Sequence, residues 1–344
     1  MTSLAWVALG GGVIALVIGG VAAFQTWRAG DAQLQITETP AAAAMRAKRC
    51  ATIKESVADA GFAGKVTVAC DARKAELISD TYPDHDLMNG IVGAIEQVPV
   101  PAHNHAAPVA LEPRLTARPK TRDSSLGVAV NGVPIFDYTA GGEMSGEDLK
   151  HHQEEHDTLL RKELDTCGGH AGRGDDYHYH KLPTCMIDAM KNKGDAAIIG
   201  WAFDGFPIYG TNNPDGSAIP AGKLDVCNGQ PDPVYGYRYH ASDGPPYIIQ
   251  CLMGEIPGER RLPRVPPLRA AGGGGARQGG RPMPGGVQGL TFKKNARGGR
   301  VMEYTRDGEA YYIRYRPSGK PHCYQFETRT IVGNGVVQTG EYCR

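Results

Sequence analysis

Three histidines, His170, His178 and His180, fall within eleven residues of one another. Imidazole is the commonest metal ligand and carries protons near neutral pH, so this stretch is where chemistry is expected. Residues 176–181 read as a strand. On a strand, His178 and His180 share one face, and Tyr177 and Tyr179 share the other. The Gly-rich residues 168–174 can turn His170 back towards the pair. Three imidazoles on one divalent ion leave a coordination position open, which is how a metal holds a reactive water. The candidate metal set is His170, His178 and His180, with His240 as an alternative third ligand. Asp204 is a candidate carboxylate ligand or outer partner. The expected cofactor is a divalent transition metal, zinc or copper, since imidazole suits both. A competing reading has the Tyr and His side chains stack across strands and hold no ion.

The same spacing occurs twice. Tyr177 lies ten residues after Cys167 and His180 thirteen after it; Tyr237 and His240 stand at the same offsets from Cys227. A second cysteine closes each copy, Cys185 in the first and Cys251 in the second. A register shared over fourteen positions points to an internal duplication. The second copy has Gln230 and Arg238 where the first has His170 and His178, so only the first keeps the full imidazole set.

The block from Cys167 to His170 followed by Tyr177-His178-Tyr179-His180 resembles the signature of the YHYH domain family. Residues 201–210 (WAFDGFPIYG) resemble that family's second block, and residues 79–85, 88–101 and 126–136 fit it as well. The resemblance runs from about Val66 to about Gly254. It implies a fold-level identity and an exported setting, and it carries over no catalytic role.

Export is also expected from the chain itself. Residues 4–24 are uncharged and apolar, and as a helix they would span about 30 Å, the thickness of a bilayer core. They read as a membrane anchor or a signal peptide; the missing basic n-region weakens the second reading. All eight cysteines follow this segment and none forms a C-x-x-C pair, which argues against a zinc knuckle or a thioredoxin-like site. They group as neighbours: Cys50 with Cys70, Cys167 with Cys185, Cys227 with Cys251 and Cys323 with Cys343. Loops this short are worth about 3 kcal/mol each in the chain-entropy account of a disulfide. The expected location is extracytoplasmic: periplasmic, cell-surface or secreted.

Other elements must hold these residues in place. Residues 45–60 read as a helix ending at Gly61, and 65–69 as a strand leading to Cys70. Residues 99–121 carry five prolines with His103 and His105, and read as a loop. Residues 126–136 read as a hairpin hinged at Asn131-Gly132. Residues 145–164 read as a helix, with Ser145 and Asp148 near a capping-box arrangement and His152 and His156 on one solvated face. Residues 197–209 read as core, with Asp204-Gly205 making a turn. Four strands are expected at 300–305, 310–316, 323–330 and 336–343. The fold class is therefore mostly β (a β-rich α+β arrangement): a disulfide-stapled domain with an internal duplication, plus a small antiparallel meander. The divisions are 1–28 signal or anchor, 29–64 spacer and short helix, 65–254 YHYH-like domain, 255–289 a flexible Gly/Pro/Arg-rich linker, and 290–344 the small β module.

Lys and Arg together number 37, as do Asp and Glu, but residues 254–344 carry sixteen basic and seven acidic side chains. The basic region is a candidate for an anionic surface or wall polymer. Nucleic acid is not expected, because no recognised motif accompanies the charge. Two function classes follow. One is a metal-binding domain, extending to a metal-dependent hydrolase. The other is a non-catalytic surface module that binds polymer or protein through Tyr-rich faces.

Overall fold

Cys50–Cys70, Cys167–Cys185, Cys227–Cys251 and Cys323–Cys343 are the four disulfides, and no cysteine is free. They are the four neighbour pairs expected from the bracketing. A computed structural model describes residues 39–93, 96–256, 264–273, 275–277, 285–295 and 298–344. The apolar run at 4–24 lies outside the described residues, and among the described residues no helix is long and apolar enough to cross a membrane.

Helix α1 (Pro40–Asp59) buries Ile53, Ser56 and Val57. Ile53 and Val57 are spaced i, i+4, so they present one apolar edge. The Trp201 indole donates to Ser56 Oγ at 2.9 Å, fixing this face on the core. Strands β1 (Thr67–Cys70), β2 (Lys74–Ser79) and β3 (His105–Ala110) form an antiparallel sheet in that order. The Pro-rich stretch expected as a loop thus holds β3, and also β4 (Leu115–Lys120), which pairs with β13 (Leu252–Gly254). Proline is tolerated in β3 because it is an edge strand, with one row of N–H groups not needed for pairing.

The largest sheet positions the site. Its strands are β5 (Gly127–Ala129), β6 (Pro134–Ile135), β7 (Gly169–Ala171), β8 (Tyr177–Tyr179), β9 (Ile198–Ala202), β10 (Pro207–Tyr209), β11 (Gly229–Asp232) and β12 (Gly236–His240). Their order across the sheet is β11-β12-β10-β9-β5-β6-β8-β7. The two halves mirror each other about the central β9–β5 pair. Two antiparallel hairpins, β5–β6 and β9–β10, meet there, and each outer hairpin joins its half through a parallel contact, Ile135 opposite Tyr179 and Ile208 opposite Tyr239. Gly132 (φ +82°) and Gly205 (φ +93°) turn the two central hairpins in a conformation that side chains rarely adopt. A short helix α2 (Thr184–Ala189) carries Cys185.

Residues 145–164 do not form the expected helix. The reciprocal cap is made, with Asp148 N–H donating to Ser145 Oγ at 3.2 Å and Ser145 N–H to the Asp148 carboxylate at 2.7 Å. Only single 3-10 turns follow, Asp148–Lys150 and Glu154–His156. Side chains take the N–H groups a helix would use: Tyr138 Oη accepts from Gln153, and the buried Asp157 carboxylate accepts from Leu159 and Leu160. The same carboxylate holds His152 Nε2 at 2.6 Å, so His152 and His156 do not form a ligand pair.

The four expected C-terminal strands are β16 (Arg300–Arg306), β17 (Glu309–Pro317), β18 (Cys323–Arg329) and β19 (Val337–Cys343). With β14 (Arg269–Ala270) and β15 (Gln288–Lys294) they make a six-stranded sheet, order β14-β19-β18-β17-β16-β15. Residues 44–344 form one compact unit, so this sheet packs into the body of the molecule. The described parts of the expected linker are not loose: Leu268 is fully buried, and the buried Arg277 is paired with Asp175. Gly/Pro/Arg composition reads as flexible because it cannot show that one arginine has a buried carboxylate waiting for it.

A candidate metal centre

Each outer hairpin is pinned by an aspartate two residues before its first cysteine. Asp165 Oδ1 accepts the backbone N–H of Cys167 at 2.9 Å and of Gly169 at 3.1 Å; Asp225 Oδ1 accepts those of Cys227 and Gly229 at 2.9 and 3.1 Å. The first tyrosine of each motif then donates to the same carboxylate, Tyr177 to Asp165 at 2.8 Å and Tyr237 to Asp225 at 2.6 Å. These two carboxylates were not singled out from the sequence, although their fixed offset from the cysteines was there to be read.

Pairing follows the same register in both hairpins. Gly169 faces Tyr179, His170 faces His178 and Ala171 faces Tyr177; Gly229 faces Tyr239, Gln230 faces Arg238 and Pro231 faces Tyr237. Equivalent places therefore hold His170, His178 and His180 in one hairpin and Gln230, Arg238 and His240 in the other. The tyrosines of both motifs are buried, none more than 3% exposed. They present no Tyr-rich face to a partner.

In the first hairpin the three imidazoles converge. Ring centroids stand 4.9, 4.9 and 4.8 Å apart, and the ligand nitrogens lie within 4.8 Å of one another. All three residues are buried, at 7, 6 and 3% exposed for His170, His178 and His180. His180 Nδ1 faces the Asp137 carbonyl, which can only accept, so that nitrogen carries the hydrogen. Its Nε2 lone pair then points at His170 Nε2, 3.2 Å away. The His170 ring in turn meets the Glu163 backbone. Two ligand nitrogens at 2.0–2.1 Å from one tetrahedral ion would be about 3.3 Å apart.

Protonation is a poor way to satisfy this cluster. Burial, then the neighbouring charge of His178, pushes His180 down to about 3. Burial and the charges of His178 and His180 push His170 well below the usual imidazole range. Burial and mutual repulsion disfavour a proton on His170 and His180, and the three converging rings could hold a metal ion. Burial pushes the Asp176 carboxyl up, but the adjacent His178 and the charge of Arg344 outweigh this and hold it below its usual value. Phe136 covers the His178 ring at 4.4 Å. Gly172 closes the other side: a Cβ there would stand 2.5 Å from the His178 ring.

His240 and Asp204, expected as further ligands, are not brought to this cluster. Four strands separate β12 from β8 in the sheet. Asp204 accepts from Tyr239 Oη at 2.6 Å and Gly254 N–H at 2.8 Å. Those bonds make it the anchor of the β9–β10 turn. His240 Nδ1 faces the Gly210 carbonyl at 3.0 Å, so its Nε2 is an acceptor. Arg238 Nε and Gln230 Nε2 fill that acceptor at 2.9 and 3.1 Å. Asp232 and Asn213 bind the rest of the guanidinium at 2.6 and 2.7 Å. His85 with Cys167 and Cys185 is a second group within ligand distance, but its two sulfurs are joined to each other.

Fold and site together define a disulfide-stapled β domain with a buried three-histidine cluster that could hold a metal ion. Residues 106–219 match the model of the family described as YHYH protein, as the motif resemblance implied. The match covers the three histidines and the 201–210 block; the second hairpin and the 79–85 motif lie outside it. No curated protein and no solved structure matches the chain.

Proposed function

We propose that this is an extracytoplasmic protein that binds one divalent transition metal, zinc or copper, through His170, His178 and His180. The observation carrying this reading is the pair of Nε2 atoms 3.2 Å apart with His180 Nδ1 committed to a carbonyl. The second hairpin supplies a control within the same chain. There the equivalent lone pair, on His240, is met by the charged Arg238, so that hairpin carries its own cation. The first hairpin has two further imidazoles at those places instead. The likeness of the two halves supports descent from a duplicated unit. Four disulfides support an oxidising compartment.

A three-histidine set leaves room for a metal-bound water, which such an ion would make more acidic. Burial of all three residues keeps a bulky polymer from direct contact with the ion, so binding is favoured over polymer hydrolysis. An anionic lipid or wall polymer is the proposed partner of the basic C-terminal region, with Arg277 and Arg344 excepted because they bind inside the molecule.

Metal analysis of the purified protein, with calorimetric titration of zinc and copper into chelator-treated protein, tests the reading. One equivalent at micromolar affinity or better is expected. His178→Ala with His180→Ala should abolish it while all four disulfides still form. Absence of binding by the unmodified chain would remove the metal reading and leave a structural Tyr/His stack.

A further inference from the structure

His178 is the ligand whose second nitrogen is unsatisfied. Its Nδ1 is buried without a hydrogen-bond partner, and Asp176 Oδ2 lies 3.5 Å away. That distance is a few tenths of an ångström too long for a good hydrogen bond. A metal ligand of this kind is oriented by the group its other nitrogen donates to.

Asp176 belongs to the turn between β7 and β8, and that turn is held from the C-terminal part of the chain. Arg277 Nε donates to the Asp175 carboxylate at 2.6 Å, and both groups are buried. Arg344 Nη2 donates to the Asp175 carbonyl at 2.8 Å and to the Val100 carbonyl at 3.0 Å, and Arg344 Nε to the Pro101 carbonyl at 3.1 Å. The Arg344 charge also acts on Asp176 itself. Asp175 adopts φ +54°, a left-handed conformation that a non-glycine residue keeps only when its surroundings hold it there. Gly174 allows the close approach, since a Cβ there would stand 2.6 Å from Asp176 Oδ1. The turn of the second hairpin is held differently: Asp232 accepts its own Val234 and Tyr235 N–H groups at 2.7 and 2.6 Å, and Arg49 of α1 lies over the Tyr235 ring.

We propose that Asp176 is a positioning residue that fixes the ring of His178 for metal, and that Arg277 and Arg344 hold the turn carrying it. This rests on the metal reading of the cluster. It gives the C-terminal sheet a role: it braces the wall of the centre.

The test uses the full chain and reads two things. Ring ¹⁵N shifts of His178, assigned by comparison with His178→Asn, report its tautomer in chelator-treated protein. Zinc titration reports affinity. In the unmodified protein His178 should carry its hydrogen on Nδ1. Asp176→Ala should mix the tautomers and weaken zinc by about 10- to 100-fold, the usual effect of removing a ligand's outer partner. Asp176→Asn keeps an acceptor oxygen and should recover part of both. Arg344→Gln should move both in the same direction by less. Unchanged tautomer and unchanged affinity in Asp176→Ala would overturn the proposal while leaving the metal reading intact. A wild-type chain that takes up no zinc overturns the metal reading, and the tautomer still decides whether Asp176 sets His178.

Discussion

The β7–β8 and β11–β12 hairpins share a frame and differ in content. Both are pinned by an aspartate on two N–H groups, both bury a tyrosine hydroxyl on that aspartate, and both end in a histidine whose Nδ1 faces a carbonyl. One then presents two further imidazoles. The other presents a glutamine and an arginine, which fill the histidine's acceptor from within. The comparison separates what the frame requires from what a ligand site requires. The Asp, Cys and first Tyr are common to both, so they belong to the frame. His170 and His178 have no counterpart, so they belong to the site.

Converting one hairpin into the other should have the largest effect. His170→Gln with His178→Arg is expected to lower zinc affinity on the order of 10³-fold or more, since two of three ligands are lost. Calorimetric titration measures this, and a circular dichroism spectrum like that of the unmodified protein shows that the frame survives. Retention of stoichiometric zinc would place the metal elsewhere.

The reverse cut comes next. Arg238→Met leaves the buried Asp232 carboxylate and the His240 acceptor without their cation. Breaking a buried ion pair from one side costs about 3–5 kcal/mol, read by urea unfolding. Zinc stoichiometry should not change. If it falls, the two hairpins are not independent.

Removing the pin should cost less, and somewhat more in the first copy, where Asp165 also holds the Met88 N–H. Asp165→Asn weakens three backbone bonds, that of Met88 included, and Asp225→Asn weakens two; each also weakens one tyrosine bond, for a loss of about 1–3 kcal/mol. Very unequal losses would mean that the frames are alike only in geometry.

The smallest effect is one of pH. Burial first, with the Arg238 charge contributing, pushes His240 down to about 4. Unfolded, the same ring takes a proton near 6.5. Its contribution to stability is therefore present above pH 6.5 and lost as pH falls towards 4. Urea midpoints of metal-free protein across that window should decline, and His240→Asn should flatten the decline. An unaltered slope would assign the effect to other groups.

Much of the frame was legible in the sequence because it rests on local signals. Each cysteine pair brackets one strand-turn unit, Asn131-Gly132 and Asp204-Gly205 mark turns, and the C-terminal strands are punctuated by Asp-Gly, Ser-Gly and Asn-Gly pairs. Local signals also misled. Ser145 and Asp148 cap correctly, but no helix follows, because buried Asp157 and Tyr138 capture the N–H groups from positions the sequence does not reveal as neighbours. The site was half legible. The i, i+2 spacing placed His178 and His180 on one face, and the Gly-rich turn returned His170 to them. Motif equivalence suggested His240 as a partner, but equivalence within a repeat says nothing about proximity. Two copies in one sheet can stand at opposite ends of it, and here four strands intervene.

Arg238 has a consequence for the order in which the molecule matures. A half that carries its own cation needs nothing from the surroundings to finish folding. On the proposed metal reading, the other half can close its disulfide, seat its tyrosines and reach its place in the sheet before any ion arrives. Scarcity would then leave an assembled chain with one vacant corner, and loading becomes a late event on a finished scaffold.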